Sequence, residues 1–342
     1  MKGRVFFGRC PPDIRALAEA FAWSGILEGI RSADAVLVKP NLTFPKYREG
    51  VTTTPRFIEA VLTVLAESGK KVYVGESDGG YGSFRIGEAF RNFGLPEMCR
   101  RLGAELVNLS DIERVEVPFH SGSKVARIAL PRFLCEGNVH TLTLPVPKVH
   151  CMTGISLSLK NQWGCLPDPM RLRHHVHFDN VIYAINSALK VRYTVVDGTF
   201  GLDRNGPIIE GNPVPLGWYL VSANPLAADA VAAHLIGQDL SRIPHYALAF
   251  AAGAVPALAD IETNAPKEAI DAARVPFRLR RNLWNYLAKT AWYSSVWNRL
   301  VYESPASKAL HDLMYLFRER PKELAGPSGD PPGEGERRGK RG

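Results

Sequence analysis

Cysteine is sparse. Five occur in 342 residues, Cys10, Cys99, Cys135, Cys151 and Cys165, an odd number with no CxxC pair. That argues against a disulfide framework and against an iron–sulfur ligand set within this chain, and it fits a reducing, cytoplasmic setting. Long apolar runs are also missing. No stretch approaches the roughly 20 apolar residues of a membrane span. The opening MKGRVFFGRCPPDIR holds no run long enough for a signal peptide. There is no internal repeat, no P-loop and no strict GxGxxG, so no phosphate fingerprint names a cofactor. Acidic residues run short at one end. From Val275 to Gly342 there are 13 Lys/Arg against 7 Asp/Glu, so +6 of the net charge of +8 lies there.

The rest of the composition is that of a globular protein, 46% hydrophobic and 22% charged. A chain of this length can bury a sizeable core as one large or two intimate domains. Strand-like runs at Ala35–Val38, Lys71–Val74, Ala104–Leu109, Val139–Leu144, Tyr193–Val196 and Trp218–Ser222 alternate with helical ones. The helical runs Pro55–Ser68, Phe84–Phe93 and Pro225–Ile236 are each followed by a glycine placed to end them. The alternation predicts an α/β fold, a mostly parallel sheet flanked by helices, with a C-terminal helical extension. The body spans 1–273 and the extension 274–325. The tail 326–342 lacks apolar anchors and reads as disordered. Ligands of such sheets bind beyond the carboxyl ends of the strands, which makes polar residues there the site candidates.

Lys39-Pro40-Asn41 ends one strand. The proline stops it and presents an ammonium and an amide, suited to an anion or a carbonyl. In Gly75–Ser83 the glycines let backbone amides approach a ligand, but Glu76 and Asp78 would repel a phosphate unless a cation intervened. The richest block runs from Pro147 to Cys165 and supplies Lys148, His150, Thr153, Lys160 and Asn161. Lys148 and His150 share a face if the strand continues. Histidine suits acid–base work, and a buried lysine binds anions or shifts toward neutrality. In Arg171–Asp179, the residues His175, His177 and Asp179 are candidate ligands for a divalent metal. The adjacent arginines disfavour a cation, so an anion pocket using Arg173 and His174 explains the mixture better. Asp197 follows an apolar strand, and Asp229 sits in an Ala-rich helix where burial would demand a partner. A lysine of the 147–165 block would serve Asp229; a purely structural bond is the alternative.

These blocks, in this order, resemble domain-of-unknown-function family 362. The resemblance is carried by Val38-Lys39-Pro40-Asn41, Thr52-Thr53-Thr54-Pro55, Gly75-Glu76-Ser77, Pro147-Lys148-Val149-His150, Thr153-Gly154 and Lys160-Asn161 with Gly164. His174, Asp197-Gly198, Gly206-Pro207 and Asn224–Asp229 complete it. Many members of that family carry a ferredoxin-like iron–sulfur module, which implies redox chemistry. This chain lacks the clustered cysteines, so a redox role here would need an external electron donor. The resemblance hands over no reaction.

From Val275 to Lys322 there are 9 basic and 3 acidic residues, with Trp284, Trp292, Trp297, Leu283, Tyr286 and Leu287 among them. A basic amphipathic helix with tryptophans suits an anionic membrane surface, peripheral at the inner face; a homo-oligomer contact is the other use of such a stripe. No nucleic-acid-binding motif is present, which argues against that partner. The expected function is an enzyme acting on an anionic small molecule. Lys39, Asn41, Glu76, Asp78, Thr153, Asn161, Arg173, His174 and Asp229 would bind it. His150, Lys148, Lys160 and Asp197 would do redox or isomerisation chemistry. The alternative is a non-catalytic binding or assembly protein recruited through the C-terminal helices.

Overall fold

In a computed structural model of the chain, residues 3–300 and 304 are described, apart from 209 and 282. The strands, in chain order, are β1 (Arg4–Arg9), β2 (Ala35–Pro40), β3 (Lys71–Glu76), β4 (Ala104–Asn108), β5 (Arg114–Ser121), β6 (Lys124–Pro131), β7 (Val139–Leu144), β8 (Lys148–His150), β9 (Gly154–Ser156), β10 (Val191–Gly206), β11 (Asn212–Ser222) and β12 (Glu262–Thr263). One sheet runs β12-β1-β11-β10-β7-β2-β3-β4, with β8 and β9 attached beside β10.

Strands β10, β7, β2, β3 and β4 are mutually parallel, and β11 and then β1 extend the sheet antiparallel. This is the mostly parallel α/β sheet the alternation predicts. Every residue of β2 and β7 is buried, as expected where helices cover both faces of a parallel sheet. Alternate residues feed two cores. Val36 and Val38 pack with Phe57, Val61 and Leu65 of the helix Pro55–Ala66. Leu37 belongs to the opposite core with Phe178, Val181 and Ile185 of the helix Phe178–Ala188. Pro55 opens its helix at a position where a missing N–H costs nothing.

The route of the chain positions the site. After β2 it lays β3 and then β4 to one side. It then returns and lays β7 and β10 on the other side. The order therefore reverses between β2 and β7, and a crevice opens at such a reversal outside the carboxyl ends of the strands. Lys39-Pro40 and Leu144 are those ends.

A separate two-stranded arm, β5 with β6, packs against the body through Phe119, Ile128 and Leu130. Its register pairs Ser121 with Lys124, which leaves a two-residue turn in which Gly122 takes φ 61°. The C-terminal extension begins with helices Leu283–Trp292 and Ser295–Asn298. Leu283 (72%) and Val296 (79%) are strongly exposed, and Tyr286, Leu287 and Trp297 are exposed beside them. The expected tail and the rest of the extension lie outside the described residues, as do the side chains of Trp284 and Trp292. No helix among the described residues is long and apolar enough to cross a membrane.

Candidate functional site

The crevice between β2 and β7 is stitched open by side chains. The Asn41 N–H donates to Thr53 Oγ1 (2.8 Å), the Thr53 N–H donates to Asn41 O (3.0 Å), and Thr53 Oγ1 donates to Leu144 O (2.8 Å). Asn161 Nδ2 donates to Lys39 O (3.1 Å) and Thr143 Oγ1 (2.8 Å). The ends of the two central strands are thereby held by groups that are not in the sheet. The cleft they frame has a volume of about 110 Å³, below the roughly 300–1,000 Å³ of sites for drug-sized ligands.

Three basic side chains line it, Lys148, Lys160 and Arg171, together with Glu76, Ser77 and His150. Lys39 lies behind Glu76, fully buried. Its Nζ donates to Glu76 Oε2 (2.5 Å) and Pro40 O (2.9 Å). Glu76 Oε1 accepts the Ser77 N–H (3.0 Å). Gly164 faces that carboxylate so closely that a Cβ there would collide with it. Lys148 Nζ donates to Val51 O. Arg171 donates to Asp78 O (2.8 Å) and Leu166 O (3.3 Å). Lys160 differs: among the described residues its ammonium has no hydrogen bond or ion pair, and its contact is the Phe178 ring 5.6 Å away. The buried Ser77 Oγ is likewise unpartnered.

Four buried or cleft-lining cations thus face one lining carboxylate, and that carboxylate is committed to Lys39. Burial, then Arg171, lowers Lys160 to about 8. Burial, then Lys160 and Lys39, pushes Lys148 well below the ordinary lysine value. Burial, then Lys160 and Lys148, does the same to His150 and keeps the imidazole neutral. Its Nδ1 accepts the Met152 N–H (3.2 Å) and the Thr153 N–H (3.4 Å), which assigns the proton to Nε2. The cleft therefore offers an unpaired ammonium, a free hydroxyl, an imidazole N–H and a second lysine shifted toward the amine. That set can hold an oxyanion and move protons beside it.

Other candidates sit elsewhere. Arg173 is not in the cleft: it pairs with Asp168 (2.6 Å) and is half exposed. Arg171, two residues earlier, is the buried one. His174 does not line the cleft either, and burial, then Arg173, holds it at about 4. Asp78 is one layer back, accepting from the Ile86 N–H (2.8 Å) at the start of the helix Ile86–Asn92, and from Arg85 (2.5 Å). Thr153 Oγ1 donates to Ile155 O (3.2 Å), so its contribution is the amide that fixes His150. Asp197 accepts the Thr54 N–H (2.7 Å) and both the amide and hydroxyl of Thr199 (3.0 and 2.6 Å). It anchors the 51–54 loop and does not face the cleft. Asp229 is fully buried, but its partner is not a lysine: it accepts the Ser158 N–H (2.9 Å), the Leu159 N–H (3.1 Å) and Tyr246 OH (2.6 Å). Those bonds cap the turn Ser158–Asn161 that carries Lys160 and Asn161.

The metal reading of His175, His177 and Asp179 is corrected by geometry. The segment Arg171–His177 is a 3₁₀ helix, and its histidines diverge. His175 Nδ1 donates to Leu172 O (2.7 Å) and its ring lies against Trp163 and Phe178. His177 Nδ1 meets Ser121 Oγ of the β5–β6 arm (2.8 Å). Asp179 has Lys289 as its charged neighbour. Among the described residues no group of three or more His, Cys, Asp or Glu converges as a metal site.

Similarity to known proteins falls on this same region. A family model described as Domain of unknown function (DUF362) matches residues 36–234, which contain every cleft residue named above. A thylakoid-associated protein of Synechocystis is 27% identical over 263 residues, covering 73% of this chain and 77% of that protein. A crystal structure of a Thermotoga maritima protein aligns with a TM-score of 0.37 and 15% identity, over 60% of this chain and 55% of that one.

Proposed function

This chain belongs to the family described as Domain of unknown function (DUF362), and on that premise we propose that its cleft binds a small carboxylate- or phosphate-bearing molecule and performs acid–base chemistry on it. The observation that carries this reading is Lys160, which lines the cleft with Arg171 and Ser77 and whose ammonium has no hydrogen bond or ion pair among the described residues. Lys160 is part-buried, and a partly desolvated cation without a partner is costly, a cost that an anion reduces. In the bound state Lys160, Arg171 and the Ser77 hydroxyl hold the charge. His150 Nε2–H and the Lys148 amine then stand beside the reacting atoms as proton donor and acceptor.

Sulfate is the probe for this reading, because its charge is constant across the relevant pH range. Lys160 must be protonated to hold it, and its folded value lies at about 8. Affinity measured by calorimetry should therefore be level up to about pH 8. It should then fall, by up to roughly tenfold per unit, as the ammonium is lost. An affinity unchanged between pH 7 and pH 9.5 would place the binding elsewhere.

A second reading has its own support. The relative from Synechocystis is described as thylakoid-associated. In this chain Leu283, Tyr286, Leu287, Val296 and Trp297 are exposed next to Arg278, Arg280, Arg281 and Arg299. Such a stripe suits peripheral contact with an anionic bilayer. The chain should sediment with phosphatidylserine-containing vesicles at low salt, and less as salt rises, since each basic residue contributes about 1 kcal/mol near the surface. Leu283→Asp with Leu287→Asp should abolish the salt-resistant part. Sedimentation that the double variant does not alter would remove the stripe from the interaction. Concentration-dependent dimers that the same variant dissolves would assign it to a second copy instead.

A further inference from the structure

Lys148 has surroundings unlike those of Lys160. It lies in β8, fully buried, and its acceptor is the Val51 carbonyl. No carboxylate pairs with it among the described residues. Its nearest charges of its own sign are Lys160 and Lys39, and the one favourable neighbour, Glu76, is taken by Lys39. Burial, then those two ammonium groups, lowers Lys148 well below the ordinary lysine value and so shifts it toward the neutral amine. A neutral amine that gives one N–H to Val51 keeps its lone pair, which is what a nucleophile needs. His150 follows two residues on, on the same face of β8, and lines the same cleft with its Nε2–H.

We infer that Lys148 is a covalent nucleophile that forms an imine with a small oxo acid, whose carboxylate is held by Lys160 and Arg171. The inference rests on the anion-cleft reading above and names its substrate class. In the first step the Lys148 lone pair adds to the carbonyl carbon. The C=O π pair moves onto oxygen, which takes the His150 Nε2 proton, while the nitrogen sheds a proton back to His150. In the second step the nitrogen pair re-forms as C=N and the hydroxyl leaves with a further proton as water. The two hydrogens of the amine end in that water, and no oxidant or reductant is consumed. The imine so formed is neutral; once its nitrogen takes a proton from solvent water it withdraws electrons from the adjacent carbon, so a C–H or C–C bond there can then break. The cleft volume of about 110 Å³ limits the substrate to a few carbons.

Glyoxylate is the probe, with cyanoborohydride to reduce the imine to a stable secondary amine and mass mapping of the full chain to find it. Lys148 should be modified at least tenfold faster than the exposed Lys124 and Lys267. Excess sulfate should slow only the Lys148 adduct, and Lys160→Met should slow it at least tenfold. Lys148→Met should remove it and stay folded, because methionine matches the volume and carries no buried charge. Glyoxylate that displaces sulfate in calorimetry yet leaves Lys148 unmodified, or that modifies Lys160 instead, overturns the imine and leaves the anion cleft standing. Failure of both glyoxylate and sulfate to bind overturns both.

Discussion

Lys160→Met should weaken sulfate binding roughly 10- to 150-fold while leaving the melting temperature unchanged or raised. The first number follows from the loss of a hydrogen bond to a charged group, about 1.5–3 kcal/mol, at 1.4 kcal/mol per tenfold. The second follows from the sign of the shift at Lys160. Its value falls from 10.5 in an ordinary lysine to about 8 in the cleft, chiefly by burial. A group depressed in this way contributes its full stability only above the unfolded value, and that contribution is lost as pH falls through about 8. At neutral pH the unliganded ammonium therefore costs stability, and methionine, which fills similar volume, removes the cost. A residue present for the fold alone would show the opposite pattern, with lower stability and no selective loss of binding. The two readouts are separable in one experiment, by calorimetry for sulfate and by scanning calorimetry for melting.

Glu76→Ala should destabilise the protein by about 3–5 kcal/mol, the cost of leaving one member of a buried ion pair without its partner. Lys39 is fully buried and Glu76 nearly so, and the pair sits at 2.5 Å. The same substitution strips the acceptor from the Ser77 N–H. Lys39→Met in the same chain should recover most of the loss, because removing both charges costs far less than removing one. Urea unfolding of the four forms gives the coupling energy directly. A double variant no more stable than Glu76→Ala would mean that the carboxylate, not the pairing, is what holds β2 to β3.

Much of this was legible in the blocks at strand ends, for a physical reason. Buried strands read as apolar or β-branched runs, so the ends of β2, β3 and β7 could be located from Val36–Val38, Val72–Val74 and the Val, Thr and Leu residues of Val139–Leu144. Polar residues just past them fall at the crevice by the topology of a parallel sheet. That is why Asn41, Glu76, Lys148, His150, Lys160 and Asn161 were nameable in advance. Arg171 was not, because Arg171 and Arg173 stand in one run and only the 3₁₀ turn decides which is buried. Arg171 reaches carbonyls of Asp78 and Leu166, and the half-exposed Arg173 reaches the carboxylate of part-buried Asp168. Ser77 stood out only within the Gly75-Glu76-Ser77 block of the resemblance, since a lone serine in a glycine-rich loop looks like turn chemistry. Asp197 and Asp229 are buried as their apolar neighbours suggest. Burial demands a partner, though, without naming it, and here the partners are mainly backbone amides far away in sequence. The β5–β6 arm carried a signal that could have found it, since its eight-residue strands alternate polar and apolar residues as half-buried strands do.

On the proposed reading the cleft is an anion site whose unpaired cation, among the described residues, is Lys160. Calorimetric titration of the full chain with sulfate at pH 7, beside Lys160→Met, tests it most directly. A saturable isotherm with one anion per chain in the parent, and at least tenfold weaker binding in the variant, is the expected result. No saturable heat in the parent, or equal affinity in both, would contradict it.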